Sequence, residues 1–245
     1  GIGKTIAECF ANEGAKVIIS DINIEEAEKT AKELSHFDNQ VKAIFADVSK
    51  VEDIRKSFEF IQKEYGKLDV LVNNAGIQIR TPSVDFKEED WDKLMEINLK
   101  AVFFGCQEAA KIMFQNGGGR IVNMSSGTSK NPTPGRAPYV ISKAGVNAVT
   151  AVLAAEWARQ NVSVNAVAPG WIHTDMVEDG FRTGVVSKKQ IYSAVPIMRL
   201  ASKKEIADSV LYLASNEASY ITGHTLFVDG GWSVLGMPQE VDSVD

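Results

Sequence analysis

Residues 1–21 read GIGKTIAECFANEGAKVIISD. Gly1 and Gly3 run straight into a helical pattern that puts Ile6, Cys9 and Phe10 on one face, and Gly14 supplies the stop. The apolar run of residues 16–20 (KVIIS) then reads as a strand buried on both faces. A glycine turn that opens a helix and returns to a buried strand is half of a nucleotide-binding βαβ unit. Such a turn normally follows a strand of its own, and none stands ahead of Gly1. The expectation is an α/β fold whose first strand is missing from this chain.

The alternation continues outward from there. A polar helix (24–34), a strand (41–46), a helix (53–66) and a strand (69–74) come next. Two helical stretches from Lys87 to Asn116 follow, then a strand (120–126) and a long helix from about Tyr139 to Arg159. A strand (162–168), a helix near Glu205–Ser215 and a strand (225–231) complete the series. Strands spaced by helices of this length imply βαβ crossovers: a single-domain, Rossmann-like, doubly wound parallel sheet with helices on both faces. The domain is expected over residues 1–235, with a mobile acidic tail at 236–245.

Composition narrows the function. A chain of 245 residues suits one large α/β core. Its net charge of −6 argues against nucleic acid, whose phosphates need clustered Lys and Arg. No apolar run is expected to span a bilayer, and no signal peptide is recognised, so a cytoplasmic enzyme is expected. Cys9 and Cys106 fall in apolar helical patterns and read as small buried hydrophobes of a reducing compartment. No ligand spacing links them to His36, His173 or His224, so no metal site is expected.

Ligands of open parallel sheets bind at the carboxyl ends of the strands. Asp21 closes its strand about 20 positions beyond the glycine turn, where a carboxylate accepts hydrogen bonds from the adenosine ribose and repels a 2′-phosphate. That predicts NAD over NADP. The competing role is a helix N-cap, which Asn23 fills better. Asp47 and the run Asn73–Gly76 close the next two strands, and small residues in the second would let backbone approach a flat ring.

The strand of residues 120–126 ends in Ser125 and Ser126; Tyr139 comes thirteen positions after Ser126, and Lys143 four further on. Pro138 presets a helix start, which puts Tyr139 and Lys143 on one face of its first turns. Proton transfer by a phenol near neutrality needs a shift of about three units from ~10, or ~4 kcal/mol. One ammonium at about 4 Å in a partly screened site supplies roughly that much, and the helix N-terminus up to ~1 kcal/mol more. An exposed i,i+4 Tyr/Lys pair is the ordinary alternative.

Taken together, GIGKTIA, ADVS, LVNNAG, INLKAVF, IVNMSS, YVISKAG, VNAVAPGWIHTDM and YITGHTLFVDGG, in this order, resemble the short-chain dehydrogenase/reductase family over nearly the whole chain. The resemblance implies a catalytic tetrad of Asn98, Ser126, Tyr139 and Lys143. Tyr139 would exchange the substrate oxygen's proton and Ser126 would hydrogen-bond that oxygen. Lys143 would hold the nicotinamide ribose and lower the Tyr139 pKa, and Asn98 would support a water relay to Lys143. It implies a cofactor site at Gly1, Ile2, Gly3, Asp21, Asp47, Val48, Asn74, Ala75, Gly76, Pro169, Gly170, Ile172 and Thr174, besides Tyr139 and Lys143. It makes Gly1, Ile2 and Gly3 the end of the family's Thr-Gly-x-x-x-Gly-Ile-Gly turn, with the missing strand in the middle of the sheet.

Two further expectations concern partners. Residues 145–160 (GVNAVTAVLAAEWARQ) are apolar nearly all round, so this helix is covered either by its own chain or by another subunit. The family resemblance implies a homotetramer through it and the preceding helix. Residues 73–91 are similar to the gluconate and deoxygluconate dehydrogenase branch, which implies a sugar acid or polyol as the small-molecule substrate. A 3-oxoacyl-carrier-protein reductase, a hydroxysteroid dehydrogenase and, remotely, a non-catalytic nucleotide-binding protein are the alternatives. The resemblance also makes Met176–Pro196 the substrate lid. Arg80, Arg136 and Arg182 are either carboxylate contacts or solvated surface.

Overall fold

The computed structural model describes residues 1–35, 41–184 and 187–238. Helix α1 (Ile2–Asn12) starts at Gly1 without a side-chain cap, and the chain turns away where Gly14 adopts φ +86°. Strand β1 (Val17–Asp21) leads into α2 (Ile24–Glu33), whose N-cap is Asn23, accepting from the Glu26 N–H at 3.2 Å. Next come β2 (Val41–Phe45), α3 (Val51–Tyr65), which ends at Gly66 with φ +68°, and β3 (Val70–Asn73). Helices α4 (Glu88–Met95) and α5 (Ala101–Gln115) are joined by a π-helical turn, Glu96–Lys100. The two helical stretches read from sequence are therefore one continuous path with a wide turn inserted. Strand β4 (Gly119–Met124), helix α6 (Ala137–Trp157) and strand β5 (Val162–Pro169) follow. Helices α7 (Asp175–Arg182), α8 (Lys188–Ala194) and α9 (Lys203–Ala214) precede β6 (Thr225–Val228).

All strand pairings are parallel. The order is β1-β2 in one sheet and β3-β4-β5-β6 in another. Among the described residues no strand lies between β1 and β3, so the facing edges of these two strands make no ladder. A cavity of about 1830 Å³ opens between them and runs along the carboxyl ends of the strands. The break falls in the middle of the sheet, where the missing strand was expected.

Successive residues of β4 face opposite ways, as the pleat requires. Ile121 packs with Phe58, Val102, Cys106, Val146 and Leu153 under α3, α5 and α6. Val122 and Met124 pack with Ile6, Cys9, Ile206 and Val210 under α1 and α9. Every residue of β5 is buried, the polar Ser163 and Asn165 included, as befits a central parallel strand covered on both faces.

One helical stretch, Ala137–Gln160, is long and apolar enough to cross a membrane by length and composition alone. In this fold the stretch packs on the sheet, with Ser142, Lys143, Val146, Thr150, Leu153 and Ala154 turned inward. Its other face is not covered by the described residues: Ile141 and Val152 are about half exposed, as are Phe103 and Phe114 on α5 to a lesser degree. Of the acidic tail, residues 239–245 lie outside the described residues, as does His36.

Candidate active site

The carboxyl end of β4 positions the first group. After Met124 the chain turns through Ser125 and Ser126 into a short 3-10 turn. The Ser126 hydroxyl oxygen caps that turn, accepting from the Thr128 N–H at 3.2 Å and the Thr128 hydroxyl at 2.9 Å. It also lies beside the Tyr139 phenol and pulls the phenol's pKa down. Ser125 does something else: its hydroxyl donates to Asn147 Oδ1 at 2.6 Å and reaches the Lys143 carbonyl at 3.2 Å, stitching β4 to α6.

Helix α6 supplies the second and third groups. Arg136 is its N-cap residue and Pro138 lies in its first turn, so Tyr139 sits at the helix start as the sequence predicts. Lys143, one turn on, is buried; its Nζ donates to the Met124 carbonyl at 2.7 Å and lies 5.8 Å from the centroid of the Tyr139 ring. Burial pushes the Lys143 ammonium down to about 8. Burial also pushes the Tyr139 phenol above its ordinary value, against the pull of the Ser126 hydroxyl and the Arg136 charge. The expected lowering of Tyr139 by Lys143 is thus not found in this state. The reason is geometric: the ammonium points at the Met124 carbonyl, and desolvation of the phenol outweighs the remaining attractions.

Asn98 sits on the π-helical turn, buried, with both ends of its amide used. Oδ1 accepts from the Ile77 N–H at 2.8 Å, while Nδ2 donates to the Ile77 carbonyl at 2.9 Å and to Ser142 Oγ at 3.3 Å. The extra residue of the wide turn aims one side chain inward, a frequent use of such turns. Asn98 thereby ties the loop after β3 to α6. Gly76 lies between them: a Cβ there would meet Asn98 Oδ1 at 3.3 Å and Lys143 Nζ at 3.5 Å. Glycine keeps that space open.

A second set of groups frames the cavity. The first turn of α1 carries no acidic residue and no side-chain cap, so its N–H groups at Ile2 and Gly3 are available to an anion. Gly3 approaches the end of β3 so closely that a Cβ would stand 2.7 Å from Asn74 Nδ2. Asp21 is exposed at the end of β1, with Oδ1 accepting from the Asn23 N–H at 2.9 Å. At the end of β5, Gly170 passes Asp229 with room for no side chain: a Cβ would be 2.7 Å from the Asp229 Cα. Thr174 caps α7 just beyond, and Ile172 bridges to Ala201.

The cavity wall brings together Gly1, Ile2, Gly3, Asp21, Val48, Asn74, Ala75, Gly76, Ser126, Tyr139, Lys143, Pro169, Gly170, Ile172 and Thr174. Two expected residues stand outside it. Asn98 acts from behind, through Ile77. Asp47 is folded into its own turn, accepting from the Ser49 N–H and hydroxyl at 3.1 and 2.7 Å with Lys50 at 3.2 Å, which hold its pKa low. An uncapped helix terminus, glycines where a Cβ would fill the wall, a carboxylate at one end and a Tyr/Lys pair at the other fit a nicotinamide dinucleotide.

Three residues that sequence reasoning missed also shape the site. Trp171 and Trp232 lie 6.0 Å apart, and Trp232 blocks any side chain at Gly127. Each tryptophan directly follows a strand-end glycine in the sequence, which was the available signal. Gln78 is the third; with its amide oriented by hydrogen bonding, its oxygen accepts from Arg136 Nε and Nη1 at 3.1 and 3.2 Å. Of the three arginines, Arg182 is a solvated surface residue paired with Asp179, Arg80 is exposed at the cavity wall, and Arg136 is buried. The proposed lid holds α7 and α8, with residues 185 and 186 outside the described set. His173 pairs with Glu178 at 2.8 Å, and no group of metal ligands occurs among the described residues. Cys106 is inert in character, its thiol pushed up to about 12 by burial.

Comparison with known proteins agrees with this geometry. The family model described as enoyl-(acyl carrier protein) reductase matches residues 1–233. The chain is 40% identical over 231 residues to the 3-oxoacyl-[acyl-carrier-protein] reductase FabG of Thermotoga maritima, covering 94% of this chain and 93% of that protein. It is 38% identical over 234 residues to the NAD-dependent glycerol dehydrogenase of Listeria innocua, covering 96% and 90%. Among solved structures, a gluconate 5-dehydrogenase from Burkholderia cenocepacia in complex with NADP and tartrate superposes with a TM-score of 0.89 at 33% identity, covering 96% of this chain and 92% of that one.

Proposed function

The chain belongs to the short-chain dehydrogenase/reductase family, and from that premise we propose an NAD(H)-dependent oxidoreductase whose substrate is a small sugar acid or polyol. That it is an oxidoreductase acting on CH–OH groups with a nicotinamide cofactor follows from the family; the choice of NAD and of substrate is the proposal.

The observation that carries it is the convergence of Ser126, Tyr139 and buried Lys143 on one cavity wall. The nicotinamide, when bound, supplies or accepts the hydride. In the reducing direction the carbonyl oxygen sits against Ser126 and Tyr139, and the phenol, protonated at neutral pH, gives it a proton. In the oxidising direction the same oxygen returns its proton to the tyrosinate, which Ser126 and the Arg136 charge favour. Lys143 would hold the cofactor ribose, and Asn98 fixes the loop on which Gly76 keeps the space beside the Lys143 ammonium open.

NAD is preferred in this reading because the exposed Asp21 carboxylate at the end of β1 would meet the adenosine ribose and repel a 2′-phosphate. Titration of NADH and NADPH by nicotinamide fluorescence tests it; tighter NADPH binding overturns the preference. Tyr139→Phe is expected to lower turnover about 10³-fold while NADH affinity changes by no more than ~3-fold. Unchanged turnover would remove Tyr139 from the chemistry.

The identity to the Thermotoga maritima reductase favours a second reading, reduction of a 3-oxoacyl thioester. Assaying NAD with gluconate and glycerol against NADPH with an acetoacetyl thioester separates the two. The uncovered apolar face of α5 and α6, with Phe103, Phe114, Ile141 and Val152, supports a homotetramer, which sedimentation tests. Buried free thiols suit a cytoplasmic setting, and one domain over residues 1–235 completes the proposal.

A further inference from the structure

Arg136 lines the site with a charge that acts on Tyr139 but has no counter-charge of its own. It is 9% exposed, and among the described residues no carboxylate lies within ion-pair distance of it. Arg80, also at the cavity wall, is a like charge that repels it. Asp179, an acid of α7 that lines the same cavity, is held by Arg182 at 3.1 Å. A guanidinium in this position is costly, because a buried charge is normally paired.

The guanidinium is nevertheless held in one orientation. Gln78 accepts from Nε and Nη1, and the Trp171 ring stacks at 5.5 Å from the guanidinium carbon. Those two neighbours fix the plane and use two of its five N–H donors. The remaining donors have no protein acceptor among the described residues, on a side chain that lines the cavity and acts electrostatically on Tyr139. A planar fork with donors to spare matches a carboxylate in bidentate geometry.

We propose that Arg136, held by Gln78 and Trp171, receives the carboxylate of the substrate, and that Arg80 adds a second positive charge at the same mouth. This rests on the sugar-acid reading above and sharpens it: the substrate is an anionic hydroxy acid, and a neutral polyol is a poor fit. The carboxylate supplies the missing counter-charge, and its position then places a hydroxyl-bearing carbon near Ser126 and Tyr139.

The test is a binding titration in the presence of NAD, read by tryptophan fluorescence, since Trp171 stacks on the proposed anion site. The probes are D-gluconate and D-glucitol, which share a six-carbon polyol skeleton and differ at the terminal carboxylate. The protein is expected to bind gluconate roughly 10- to 100-fold more tightly than glucitol, the range of a charge-assisted contact. Arg136→Met should bring the two affinities within about twofold, and Arg136→Lys should restore part of the gap. Because the substitution removes an unpaired buried charge, Arg136→Met should fold with an undiminished melting temperature. Equal affinities in the native protein, or a gluconate preference that survives Arg136→Met, overturns the assignment. Neither outcome touches the role of Tyr139, which is judged by its own phenylalanine variant.

Discussion

The two halves of the sheet differ in how firmly they hold their residues. On one side, β4 and β5 are buried over nearly their whole length, paired on both edges, and tied to α6 through Ser125, Asn147 and the Lys143 ammonium. A buried chain of polar side chains adds to this: Asn73 donates to Asn123 at 2.9 Å, and Asn123 donates to Thr150 at 3.0 Å. On the other side, β1 pairs only with β2, and its outer edge faces the cavity. The Asp21 carboxylate is exposed and accepts from the Asn23 N–H in its own turn. The proton-transfer groups therefore sit on a preformed frame, whereas the groups proposed for the adenosine end sit on two strands with few neighbours.

Hydrogen exchange puts that difference to its largest test. Amides at the centres of β4 and β5, such as Val122 and Val164, are expected to exchange at least ~10³-fold more slowly than those of β1 and β2, because opening the second pair exposes far less buried surface. Equal protection in both halves would break the comparison.

The next effect in size concerns charge. Lys143 has a pKa of about 8 when folded, against 10.5 for an unperturbed lysine. Both states are protonated below pH 8, and there the folded protein bears the full penalty, about 3 kcal/mol from the 2.5-unit shift. The penalty falls as pH rises from 8 to 10.5 and vanishes above. Lys143→Met removes it, at the loss of the hydrogen bond to Met124, worth ~1 kcal/mol. The variant is therefore expected to be about 2 kcal/mol more stable at pH 7, with the gain lost by pH 10.5. A variant less stable at pH 7 would mean that Lys143 is better solvated than its burial implies.

A pair of glycine substitutions gives a smaller contrast. Gly170→Ala would drive a Cβ into the Asp229 backbone, which cannot yield, and should cost about 2–3 kcal/mol. Gly14→Ala meets no atom within 4 Å and suffers only its positive φ, about 1 kcal/mol. Urea unfolding of both should rank them in that order.

What could be read in the sequence tracks the same division. β4, β5 and the spacing from Ser126 to Tyr139 and Lys143 were legible because full burial and helical periodicity leave direct traces in residue type. Ser126 rather than Ser125 came from the family resemblance, and the contacts of Ser125 with Asn147 and Lys143 show that hydroxyl used in tying β4 to α6. Other features had no local trace. The π-helical turn at Asn98 depends on a partner 21 residues away, at Ile77. The raised Tyr139 pKa depends on how much of the phenol is buried and on where the Lys143 ammonium points, neither of which spacing reveals. The family resemblance put Asp47 in the cofactor site, but Ser49 and Lys50 draw its carboxylate into a local turn. Arg136 was left open between surface and site; only its burial without an acid partner distinguishes it from Arg182.

The smallest stability effect expected is at Asp21, and it separates structural from binding roles. Its carboxylate accepts one hydrogen bond from the Asn23 N–H and stands in solvent, so Asp21→Ala should change unfolding free energy by less than ~0.5 kcal/mol. The same change removes the group proposed to accept from the adenosine ribose and to repel a 2′-phosphate. The ratio of NADPH to NADH dissociation constants should fall by roughly tenfold, a difference of about 1.4 kcal/mol. A large loss of stability would instead make Asp21 the fastener of the β1 turn. A ratio that does not move would place cofactor discrimination elsewhere along the open half of the sheet.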